Sequence, residues 1–235
     1  MNRCTANLAF AALLAFAGGL SASDATGNRR MVAAWDFDTA TANSTNLATA
    51  IQGSRKYNAN FSTANRTNPV LVFDGTVGSN VWNSSNGTIW TSSNGSLENL
   101  PPGSTSNATS NLCLRLRAGP GLAANGQSLV FEVDMSKSRR LDISYAAISS
   151  TGGFATHEWH YWDEKNGAWV PIPDTLGNQA VPVPGDFSTV LLEQVGGTGF
   201  NNRPKARVRL RLSGATSTAG YNLIDNIRFH ATVAP

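Results

Sequence analysis

From Met31 onward, apolar and polar residues alternate in short runs separated by clusters of Gly, Asn, Ser and Pro. A period of two turns every second side chain to one face, so each run predicts a β-strand with one face on a core. Residues 32–37 form the first run, Pro69-Val70-Leu71-Val72-Phe73 is a short wholly apolar one, and residues 112–117 alternate strictly. Residues 129–133 and 141–145 repeat the alternation. Residues 156–162 and 168–172 flank Asp163-Glu164-Lys165-Asn166-Gly167, whose closing Asn-Gly favours a hairpin. Residues 188–195 are less regular, and a strand or a short helix both fit them. The cleanest alternation is Ala206-Arg207-Val208-Arg209-Leu210-Arg211-Leu212, and residues 221–233 close the series.

No strand–helix alternation interrupts these runs, which argues against a parallel α/β sheet. Strands with one apolar face pack as two antiparallel sheets face to face. The predicted class is therefore all-β: an antiparallel two-sheet β-sandwich of jelly-roll type with long polar loops. The paired cysteines around a Trp that mark an immunoglobulin sandwich are absent. One such domain is expected over residues 31–234. Residues 74–111 stand apart, being almost all Gly, Ser, Thr and Asn around Trp82, Trp90 and Pro101-Pro102-Gly103.

Composition narrows this further. Charged residues make up 14% of the chain, against about 25% in an ordinary soluble domain. The chain has 14 Arg but only 4 Lys and 5 Glu, with 23 Asn and 22 Gly, a balance that disfavours helices. A net charge of +3 with no nucleic-acid motif gives no reason to expect a nucleic-acid partner. Arg3, the apolar run over residues 8–20 and the small residues up to Ala25 have the layout of a secretory signal peptide. That run is 13 residues, too short for a membrane helix of about 20. Residues 1–25 are expected to be removed, by cleavage after Ala22 or Ala25. The mature chain is expected to be secreted or periplasmic, without a membrane anchor. Cys113 then remains alone, which fits a small buried side chain rather than a disulfide.

Three segments carry a resemblance: Ala34-Trp35-Asp36-Phe37, the hairpin from His160-Tyr161-Trp162-Asp163 to Gly167-Ala168-Trp169, and Tyr221-Asn222-Leu223-Ile224-Asp225-Asn226-Ile227-Arg228-Phe229. Together they resemble secreted bacterial jelly-roll domains of the carbohydrate-binding-module and galactose-binding-like kind. The resemblance implies a polysaccharide or cell-surface glycan as partner. It also implies that an Asp in the closing strand can hold a structural Ca²⁺ with acids of the first strand, here Asp225 with Asp36 and Asp38. In an unbulged strand Tyr221, Leu223, Asp225, Ile227 and Phe229 share one face, which would put a carboxylate among core residues. Such a group must be paired, hydrogen-bonded or metal-bound. The alternative is an Asp that caps backbone N–H groups in a bulge.

The resemblance favours Trp159 and Tyr161 as core, leaving Glu158, His160 and Trp162 outward. A flat indole beside polar groups suits a sugar ring, apolar on its C–H face and in need of hydrogen bonds at its hydroxyls. Trp82 and Trp90 are further candidates for sugar contact, with anchoring of the polar segment as their alternative. Strand parity separates His157 from His160, which argues against a metal pair there. Arg115 and Arg117, like Arg207, Arg209 and Arg211, form rows on polar faces. Adjacent rows would suit an acidic glycan, and separate rows a solvated face that resists edge aggregation.

An enzymatic reading meets one test. Glu132-Val133-Asp134-Met135 resembles the start of the laminarinase-type hydrolase motif, but Lys137 stands where its second Glu belongs. Retaining hydrolysis needs two carboxylates about 5 Å apart, and no Gly-x-Ser-x-Gly elbow occurs. The expectation is an exported, non-catalytic protein that binds a glycan or cell surface. A structural or adhesive envelope or matrix protein without sugar binding is the alternative.

Overall fold

The computed structural model describes residues 29–38, 56–62, 69–74, 82, 88–92, 95–101, 104, 111–172, 178–180, 186–195, 197 and 199–233. The proposed signal peptide lies outside them. The strands are β1 (Arg29–Trp35), β2 (Lys56–Asn58), β3 (Phe61–Ser62), β4 (Val70–Asp74), β5 (Ile89–Ser92), β6 (Cys113–Arg117) and β7 (Ser128–Val133). They continue as β8 (Ser138–Ser149), β9 (Thr156–Asp163), β10 (Ala168–Pro171), β11 (Asn178–Ala180), β12 (Ser188–Val195), β13 (Ala206–Ser213) and β14 (Tyr221–Val233). No α-helix occurs among the described residues.

The chain shuttles between two antiparallel sheets. The first runs β12-β8-β14-β1-β3, with β6 on β14 and β5 on β6. The second runs β10-β9-β13-β7-β4-β2, with β11 on β9. This is the predicted two-sheet sandwich. Residues 188–195, which the pattern leaves open, form β12, because its partner β8 supplies the ladder.

The inner faces meet in an aromatic core. Trp35 packs edge-on to Phe131 and Phe229 at 5.3 and 5.5 Å, and Phe131 stacks on Trp159 at 5.9 Å. Burying each such ring stabilises the fold by about 1.5–3 kcal/mol. Tyr161 packs on Phe200, so both members of β9 expected to face inward do so.

The closing strand departs from simple alternation. Pairing of β14 with β8 shifts register between Asp225 and Arg228, and Asn226 has φ 49°. Ile224 faces the core before this bulge, and Ile227, Phe229 and Ala231 face it afterwards. Parity therefore flips. The unbulged strand that would put Asp225 on the core side with Ile227 and Phe229 is not what forms. Asp225 pairs with Ala146 on the outer side, where residues 95–99 cover it.

Candidate functional site

The outer face of the second sheet is assembled from two neighbouring strands. On β9, Glu158, His160 and Trp162 alternate with the inward His157, Trp159 and Tyr161. On β13, Arg207, Arg209 and Arg211 alternate with the buried Val208, Leu210 and Leu212. Antiparallel register sets Arg209 beside His160 and Arg211 beside Glu158. The β9–β10 hairpin sets Trp169 beside Trp162.

The result is a patch of aromatic and cationic groups. Trp162 and Trp169 are partly exposed and meet edge-to-face at 5.3 Å. The Arg207 guanidinium lies 4.4 Å from the Trp162 ring centre, and that of Arg209 lies 4.9 Å from Trp169. Cation–π contact holds a planar guanidinium against each indole. Glu158 accepts hydrogen bonds from Arg211 Nη1 at 2.9 Å and from Ser213 Oγ at 3.0 Å. Burial, followed by the nearby charge of Arg209, lowers the pKa of His160 and keeps its ring neutral at pH 7.

Sequence reasoning finds Glu158, His160 and Trp162 but misses Trp169. Its signal was present: Trp162 and Trp169 lie just outside the hairpin loop, where antiparallel register makes them neighbours. The two Arg rows do not meet. Arg115 and Arg117 lie on β6 in the first sheet, and Arg115 stacks on Tyr221 at 3.8 Å.

Trp82 is not a platform. Its ring is buried against Phe154, and its Nε1 donates to the Ser128 carbonyl at 3.1 Å. It anchors the polar segment, because a Trp with both an apolar neighbour and an acceptor gains more inside than in water. The Trp90 side chain lies outside the described residues; its backbone is in β5, in the sheet opposite Trp162.

Asp36, Asp38 and Asp225 lie near the break in β14, and the charges of Asp36 and Asp38 act on Asp225. Their oxygens, however, serve the backbone and a hydroxyl. Asp225 accepts from Ser96 N at 2.7 Å and Asn226 N at 2.8 Å. Asp36 accepts from Asp38 N at 3.2 Å and Ser104 Oγ at 3.0 Å, and Asp38 accepts from Leu112 N. Burial, with the nearby charges of Asp38 and Asp36, raises the Asp225 pKa well above the usual carboxylate range. Among the described residues no group of three or more His, Cys, Asp and Glu side chains could hold a metal ion. The observed hydrogen bonds are those of carboxylates that cap backbone N–H groups at a bulge.

No family model and no curated protein sequence matches the chain. Solved structures do. The xylan-binding domain CBM22-1 of Xyn10C from Paenibacillus barcinonensis is 10% identical with a TM-score of 0.40, over 63% of this chain and 82% of that one. Several of these similar structures are carbohydrate-binding modules. The tandem CBM22-1–CBM22-2 of the same protein is 8% identical with a TM-score of 0.47, over 90% of this chain and 48% of that one. A CBM28 module specific for non-crystalline cellulose is 12% identical with a TM-score of 0.35, over 53% of this chain and 77% of that one.

Proposed function

We propose that this chain is an exported, non-catalytic module that binds a glycan through the outer face of its second sheet. The observation that carries this reading is the Trp162–Trp169 pair with Arg207 and Arg209 stacked against it. Partly exposed indoles offer an apolar surface to the C–H face of a sugar, and the guanidinium groups beside them supply donors for its oxygens. Glu158, tied to Arg211 and Ser213, orders the polar edge of the patch. Export is supported by the layout of residues 1–25; amino-terminal sequencing of the protein recovered outside the cytoplasm tests it.

The binding test is a glycan array probed with the mature chain, followed by titration of the best ligand. Trp162→Ala and Trp169→Ala are each expected to weaken binding tenfold or more, equivalent to about 1.4 kcal/mol, without lowering Tm by more than a few degrees. Full affinity in the double variant would overturn the assignment of this face. Absence of binding to every glycan would leave the adhesive, non-sugar reading.

A further inference from the structure

The outer face of the first sheet contains a groove of about 430 Å³, within the range of about 300–1,000 Å³ typical of small-ligand sites. It lies across the sandwich from Trp162 and is a product of the β14 bulge. Because parity flips after Asn226, Arg228 and His230 turn outward and form its floor. Ser144 on β8, Thr189 and Leu191 on β12, Arg29 on β1 and Asn99 complete the walls.

Arg228 is the unusual member. Its Nη1 donates to Asn99 Oδ1 and to the Leu100 carbonyl, both at 3.3 Å, and its Nη2 lies 3.3 Å from His230 Nε2. These partners fix the guanidinium in place, yet all are neutral, and its buried Nε has no hydrogen-bond partner. No carboxylate among the described residues pairs with it. By contrast, Arg29 is matched by Asp142, and nearby Glu98 accepts from Thr189 Oγ1 at 3.2 Å. A half-buried cation without a counter-ion is costly, and a fixed guanidinium fork matches a carboxylate. Burial and the charges of Arg228 and Arg29 lower the His230 pKa to about 4, so the imidazole stays neutral beside the guanidinium. The remaining lining suits more than a bare ion: the hydroxyls of Ser144 and Thr189 donate to Asn99 Oδ1 and Glu98 and so stand ready to accept from a sugar hydroxyl, and Leu191 is an apolar side chain left 51% exposed.

We propose that this groove binds a hexuronate residue of an acidic polysaccharide, with its carboxylate on Arg228, its hydroxyls on Ser144 and Thr189, and its apolar edge on Leu191. The site is independent of the Trp162 face and is tested with that face disabled. Trp162→Ala protein is titrated calorimetrically with trigalacturonate, with the fully methyl-esterified trisaccharide and with acetate. Trigalacturonate is expected to bind at least tenfold tighter than the ester, and acetate is expected not to displace it at equal concentration. Arg228→Gln added to Trp162→Ala should lose tenfold or more. Because Arg228 also ties down residues 99 and 100, Leu191→Glu provides a second variant at an exposed position, and the same loss is expected from charge repulsion. The proposal is overturned by no trigalacturonate binding to Trp162→Ala, by equal binding of acid and ester, by displacement with acetate alone, or by undiminished binding in Leu191→Glu.

Discussion

His157 sits fully buried with its Nδ1 2.9 Å from the Tyr145 hydroxyl and its Nε2 3.1 Å from the Asn222 amide nitrogen. Asn222 can only donate there, so the neutral ring carries its proton on Nδ1 and directs it at Tyr145. Burial holds the His157 pKa at about 3, below its usual 6.5. A depressed pKa on a base means that the unfolded chain takes up the proton first as pH falls. The stability that wild type holds over His157→Gln should therefore be flat above pH 6.5 and decline as pH drops toward about 3. At neutral pH the variant should lose about 1–3 kcal/mol through its less well matched hydrogen bonds. Thermal melts of both proteins from pH 8 to pH 3 check this, and a constant difference across the range would contradict it. Sequence parity correctly separates His157 from His160, but nothing local identifies Tyr145 and Asn222 as its partners.

At the scale of elements, the bulge in β14 does the most to shape the surface. Asn226 adopts a left-handed conformation that Asn tolerates better than Ala. Its Nδ2 donates to the carbonyls of Ser96 at 2.7 Å and Glu98 at 2.8 Å, tying down the segment that covers Asp225. Asn226→Ala loses both the conformational tolerance and the hydrogen bonds, and should cost about 2–3 kcal/mol in urea unfolding. Asn226→Gly should recover about 1 kcal/mol of this, since glycine accepts the positive φ. Both variants should speed hydrogen exchange at the Ser96 amide; unchanged exchange would show that the segment is held by other contacts. The β9–β10 hairpin behaves in the opposite way. Its strands follow plain alternation, so spacing alone groups Glu158, His160 and Trp162 on one face, and the resemblance points to that face as the outward one. The β14 bulge is not legible, because it depends on residues about 130 positions away.

For the molecule as a whole, the two outer faces carry different chemistry, and the seam where β6 and β1 both abut β14 holds the three carboxylates. Their oxygens already accept hydrogen bonds from the protein, so neither a chelator nor millimolar Ca²⁺ should move Tm by more than about 1 °C. Differential scanning calorimetry with and without each additive checks this. A rise with calcium would mean that the carboxylates rearrange around an ion.

Alternation along single strands determined the all-β class, the outward direction of the Arg207 row and which side chains of β9 share a face, because side-chain direction in an unbulged strand is a local property with period two. Which β9 face turns inward came from the resemblance. Only the tertiary structure decided which strands became neighbours. It put the two Arg rows in opposite sheets, brought Trp169 to Trp162, buried Trp82 on Phe154 and turned Arg228 outward into a groove. Those outcomes depend on ladder pairing and packing between residues far apart in the chain, where the free energy of one contact depends on all the others being made.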